Sequence, residues 1–162
     1  METLKYVIQQ NVVAGVVLCL IMTGYITKPS QLKGEVDKQE LHDLASTMEL
    51  ENKGNGDECL LLTGSVPLNR IKSSKWKGDT VREVVMAKEG KYWQYAEPTR
   101  KGFDDYKPSQ HAKLLAKYLL IYGVVCPENV VYQGMNQNNG SSVYRELKDL
   151  PNQKKPEYFC YE

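Results

Sequence analysis

The sequence predicts an α+β fold, mainly helical with a small β element, preceded by an N-terminal helix that spans a membrane or serves as a secretory signal. Three observations carry this. Apolar residues recur at helical spacing over most of the chain, and strand-like segments are confined to "NVVYQG" (Asn129 to Gly134) and "YFCYE" near the end. No charge occurs between Lys5 and Lys28. With 162 residues, 41% apolar and 25% charged, the chain suits one globular domain and a short appendage.

The uncharged stretch "YVIQQNVVAGVVLCLIMTGYIT" exceeds the roughly 20 residues that cross a bilayer as a helix. Its most apolar part, Val12 to Met22, has the length of a signal peptide, and Gln9, Gln10 and Asn11 weaken its front. No small-x-small cleavage site follows, because Met22 precedes Gly24 and Tyr25 precedes Thr27 by two positions. Leu18 before Cys19 also breaks a lipoprotein box. A retained anchor is therefore favoured over a cleaved signal; a buried soluble helix would leave no polar face for water. The expected organisation is an anchor or signal over 1–28, a linker over 29–38 with Pro29 and Gly34, and a domain over 39–162 outside the cytoplasmic membrane.

Helical spacing begins near Asp37, with Leu41, Leu44, Ala45 and Met48 on one stripe and Gly54 as a stop. "GNGD" is a turn with Asp57 placed to cap the next helix, "ECLLLTGSVPLNRI". Nearly all apolar, that helix is expected to be central, bent by Pro67. "TVRE" is a capping box opening a helix to Gly90, followed by an aromatic loop, "GKYWQYAEPTRKGFDDYKPS". Ser109 caps the amphipathic "QHAKLLAKYLLIYG", which Gly123 stops. "MNQNNGSS" reads as a polar loop.

A net charge of +1 argues against nucleic acid as a partner. The local lysines of "RIKSSKWKG" read as a solvated loop, although a mildly basic rim suits an anionic polymer. Four cysteines without a CxxC pair and only two histidines argue against a zinc site, and no cofactor motif occurs. With Cys19 in the apolar run, three domain cysteines describe no disulfide framework; Cys126 and Cys160 could pair in an oxidising compartment.

The stretch "ENKGNGDECLLLTGSVPLNR", Glu51 to Arg70, resembles the signature of the SleB-like cell wall hydrolases, the family of the spore cortex-lytic enzyme. Glu51, Gly54, Glu58 and Leu68-Asn69-Arg70 fall on that signature without a gap. "TVREVV", "GKYWQ" and the final "YFCY" are similar to later family segments. The sequence departs from the pattern at Glu49, Asn52 and Pro67.

That resemblance implies a lysozyme-like domain of the lytic-transglycosylase superfamily that cuts the β-1,4 bond between N-acetylmuramic acid and N-acetylglucosamine in peptidoglycan. It implies Glu51 as the catalytic acid, Glu58 and Asn69 as its supports, and no metal or cofactor. Cleavage needs a proton on the leaving oxygen, so the carboxyl must stay protonated near neutral pH, as burial beside the apolar "CLLLTGSV" wall would arrange. Glu49, two residues away on the helix, projects to the other side and reads as surface charge. Glu58 sits at a helix N-terminus that favours its charged form. A single-acid route remains, ending in a 1,6-anhydro product. Tyr92, Trp93 and Gln94 suit sugar stacking and hydrogen bonding, with Tyr132 and Asn136 as the opposite wall. Alternatives are a Cys/His amidase or endopeptidase using Cys126 or Cys59 with His111, and a wall-binding structural protein without catalysis.

Overall fold

The computed structural model describes residues 2–162, apart from the side chains of residues 2–10, Glu89, Glu97 and Pro98. It is a mixed α+β fold, mainly helical, in which a helical layer shares its central helix with a three-stranded antiparallel sheet.

Helix α1 (Glu2–Met22) leads into a 3-10 turn at Pro29–Gln31. Among the described residues no helix is long and apolar enough to cross a membrane, so the expected membrane-spanning helix is not found there. The front of that expected segment, residues 1–10, lies outside the described residues or has side chains that do. The second half of α1 has a different role. Val17, Leu18 and Ile21 pack on the helical core, and the Tyr118 hydroxyl donates to Ala14 O at 3.3 Å. The expected linker is likewise held down, with Leu32 buried and Lys117 Nζ donating to Pro29 O and Leu32 O.

Helix α2 (Lys38–Asn52) starts where Asp37 Oδ1 accepts from the amides of Gln39 and Glu40. It ends at a turn whose Gly54 has φ +80°, and a Cβ there would lie 2.0 Å from Asn152 Nδ2. Only glycine satisfies both constraints. Helix α3 (Asp57–Lys72) is buried from Cys59 to Pro67 and runs continuously through that proline. Gly56, not Asp57, holds the cap position; Asp57 instead accepts a 2.7 Å bond from His111 Nε2 across to α6.

Thr80 caps α4 as expected, but α4 covers only Val81–Val85 rather than reaching Gly90. Gly90, at φ +60°, is the first turn residue of a hairpin between β1 (Lys88–Glu89) and β2 (Tyr92–Trp93). A short helix α5 (Glu97–Gly102) comes next, within the stretch expected to be an aromatic loop. Arg82 of α4 clamps this region by donating to buried Asp43 of α2 at 3.1 Å and to Asp104. Helix α6 (Gln110–Tyr122) is capped by Ser109 and packs on α2 and α3.

The sheet has strands β3 (Val130–Gly134), β4 (Val143–Leu147) and β5 (Glu157–Tyr161) in the order β3-β5-β4. Strand β4 follows the polar loop and was not expected, because its face is mostly exposed and shows no apolar alternation. Between sheet and α3 lies a second core of Cys59, Leu62, Val66, Val130, Leu147 and Phe159. A β-bulge between Val130 and Tyr132 turns both Val130 and Val131 inward. Asn69 Nδ2 takes the Val130 carbonyl at 2.9 Å and Arg70 Nε takes that of Val131 at 2.7 Å. The "LNR" tripeptide is thus where α3 holds the bulge.

Candidate active site

Glu51 occupies the last turn of α2, half-buried, and is approached by side chains from four other elements. The Thr99 hydroxyl of α5 donates to its Oε1. Burial pushes the Glu51 carboxyl up, while hydrogen bonds from Thr99 and Gln133 of β3 and the charge of Arg70 on α3 act in the other direction. Burial is the largest effect, so the proton is retained to higher pH than on a free glutamate.

Arg70 links this acid to an aromatic surface. Its guanidinium lies 4.1 Å from the Trp76 ring centroid and 5.2 Å from that of Tyr95. Tyr95 is buried, and that burial pushes its hydroxyl up to about 12. Among the described residues, Tyr95 OH, Trp76 Nε1 and Gln133 Oε1 are buried polar atoms without a hydrogen-bond partner. Buried polar atoms are normally satisfied, so these orphans, on Tyr95 and Gln133 beside Glu51 and on Trp76 stacked against Arg70, mark places where ligand hydroxyls or amides can bond.

Behind Glu51 is a second acid that the sequence reading missed. Glu157 opens β5 with only 6% exposure. Burial raises its carboxyl, the Glu51 charge adds to this, and hydrogen bonds from Gln153 and Asn52 oppose it. Asn52 in turn donates to Thr63 Oγ1 at 2.8 Å and accepts from Asn55. Alternation along "EYFCY" places Glu157 on the inward face with Phe159, a signal available in the sequence.

The remaining expected site residues divide. Gln94 and Tyr132 line one pocket together with Trp76, whose ring meets Tyr132 edge-on at 5.4 Å. Tyr92 and Trp93 are not core: Tyr92 is exposed, and Trp93 lies between Lys88 and Arg100, 4.1 and 4.0 Å from its centroid. Asn136 is not among the residues that line this pocket, and its Oδ1 accepts from Asn138 N. Glu58 does not support the acid either; it is exposed and pairs with Arg145 at 2.6 Å. Asn69 supports Glu51 only indirectly, through β3 and Gln133. Glu49, expected at the surface, is buried and accepts from Ser109 N at 2.9 Å, tying α2 to the start of α6.

The cysteines are free thiols. Burial pushes Cys59 up to about 12 and Cys126 up to about 11, the opposite of an activated nucleophile, and His111 is engaged by Asp57. Among the described residues no group of side chains is arranged to hold a metal ion. Comparison with protein-family models, curated proteins and solved structures finds no match to this chain.

Because the Glu51 charge adds to the upward shift of the Glu157 carboxyl, Glu51→Gln is expected to lower the Glu157 pKa. The Glu157 carboxyl resonance, followed by NMR against pH, then titrates at lower pH than in the wild type. An unmoved titration would show that the Glu51 charge does not act on Glu157.

Proposed function

We propose that this chain is a peptidoglycan-cleaving enzyme of lysozyme-like fold, cutting the N-acetylmuramic acid–N-acetylglucosamine β-1,4 bond as a lytic transglycosylase. The observation that carries the reading is Glu51 itself, a carboxyl that burial raises, with unpartnered polar atoms on Tyr95 and Gln133 beside it. Glu51 gives its proton to the leaving O4 of glucosamine as the C1–O4 bond breaks and positive charge develops at muramic C1. The resulting carboxylate takes the proton of the muramic C6 hydroxyl while O6 bonds to C1. The 1,6-anhydro ring closes and Glu51 ends protonated again, with no water consumed.

A two-carboxylate hydrolysis would need the second acid to reach the sugar or a water beside it. Glu157 is too enclosed for that, held by Gln153 and Asn52. The buried, protonated thiols likewise favour glycan cleavage over a cysteine amidase. The reading places the domain where it meets glycan strands, outside the cytoplasmic membrane. Mass spectrometry of muropeptides released from purified peptidoglycan tests it. Anhydromuramic ends are expected; reducing muramic ends would mean a hydrolase, and no new ends would overturn the reading.

A further inference from the structure

Beyond the acid, the least explained feature is a pocket of about 390 Å³ that Trp76 and Tyr132 line with Gln94. That volume lies in the range of small-ligand sites. Lys75, Lys77 and Lys88 line it as well, against one acid, Glu162. Three positive charges and one negative give a local excess of two in a chain whose whole net charge is +1. Lys75 is partly neutralised by Glu162 at 3.4 Å, whereas Lys77 has no acidic partner among the described residues. Lys88 has its Nζ over the Trp93 ring, which orients the ammonium without neutralising it.

The pocket adjoins the acid. The link is Arg70, which stacks on Trp76 and also acts electrostatically on Glu51. Trp76 Nε1 is a buried donor without a partner among the described residues. An aromatic wall with an unused donor suits a sugar or amide face, and unneutralised lysines above it suit a carboxylate.

We propose that the Trp76–Tyr132 pocket, with Lys77 and Lys88 at its rim, binds the carboxylate-bearing peptide substituent of a muramic residue, so that strands carrying peptides are preferred over bare glycan. This rests on the peptidoglycan reading and names the part of the substrate that reading leaves open. A muramic unit held for cleavage at Glu51 carries its lactyl ether on O3 and the peptide in amide linkage to the lactyl carboxyl, away from the C1 bond being cut. A basic pocket beside the acid gives that substituent charge-assisted hydrogen bonds and steers anionic strands toward the groove.

The test uses the full chain and the Lys77→Gln/Lys88→Gln double variant, with unchanged urea midpoints as the check on folding. Cleavage is measured on strands with intact peptides and on the same strands after an amidase has removed them. The ratio of kcat/KM for the two substrates is expected to fall about three- to tenfold in the double variant, through KM, as two exposed charge contacts would give. An unchanged ratio overturns the proposal. A second arm needs no turnover: tryptophan fluorescence titrated with a soluble disaccharide-peptide and with a bare N-acetylglucosamine oligomer. The wild type is expected to bind the peptide-bearing ligand more tightly, with a preference that salt and the double variant both weaken. Equal binding of the two ligands overturns the pocket assignment even if glycan is cleaved. Preferential binding without any cleavage supports the pocket and counts against the enzymatic reading.

Discussion

Glu51→Gln is expected to lower peptidoglycan cleavage by about 10²–10⁴-fold, the usual contribution of a positioned acid–base group, while making the folded chain more stable at neutral pH. The first effect follows from the proposed mechanism, in which a single carboxyl both gives and takes the proton. The second follows from where that carboxyl sits. Glu51 and Glu157 are both raised by burial, and each is worse off ionised in the folded chain than in the unfolded one. For such groups the stabilising contribution is fully present below the unfolded carboxyl range, near 4.3, and is lost as pH rises through the higher folded values. The wild type should therefore lose stability between mildly acidic and neutral pH. Glutamine has the same shape and no charge, so the substitution removes one of the two buried acids and flattens that dependence. Urea unfolding at a series of pH values, beside activity at each, separates the claims. An inactive variant that is less stable at neutral pH would mean that Glu51 is ionised and favourably paired, and the acid role would fail.

The fold and the site were legible to different degrees. The helices read well because each carries its own start and stop: Asp37 and Ser109 cap α2 and α6, and Gly54 and Gly123 end them at positive φ. Strand β4 and the hairpin of β1 and β2 did not, since their residues are mostly exposed and their pairing depends on partners elsewhere. The site follows the same division. Glu51 is singled out by the resemblance of its stretch to the SleB-like signature, while periodicity gives only its place at the end of α2. Thr99, 48 residues away, and Gln133 and Glu157, further still, reach it only through tertiary packing, which periodicity does not encode. Trp76 reads as part of a solvated lysine loop because six of the nine residues of "RIKSSKWKG" are polar or charged. Its ring is fixed by Arg70, on the preceding helix. Glu58 misled for the opposite reason: its place in the signature suggested a supporting role, while its side chain turns outward to Arg145.

Asn69→Ala is expected to cost about 1–3 kcal/mol, since it strands the buried Val130 carbonyl and removes one of two bonds to Pro127 O. Asn69 is fully buried, and its amide donates to Pro127 O and Val130 O, both at 2.9 Å. These carbonyls lie at the entry to β3 and at its bulge, where the regular ladder with β5 is interrupted. Alanine removes the donor from the buried Val130 carbonyl, while Pro127 O keeps its bond from Val130 N. A domain of this size has a total stability on the order of 5–15 kcal/mol, so the shift in urea midpoint should be large. Asn69→Asp keeps the shape but has no donor when ionised, and should be at least as damaging. A cost below about 1 kcal/mol for alanine would mean that the bulge is held by Arg70 alone, through Val131 O. The consequence reaches the acid because β3 carries Gln133, which bonds Glu51, and Tyr132, which meets Trp76. Partial loosening of the bulge should therefore weaken cleavage before it unfolds the chain, and by a different route from Glu51→Gln. Activity measured well below the urea midpoint should fall through both kcat and KM, because the same strand orients the acid and lines the pocket.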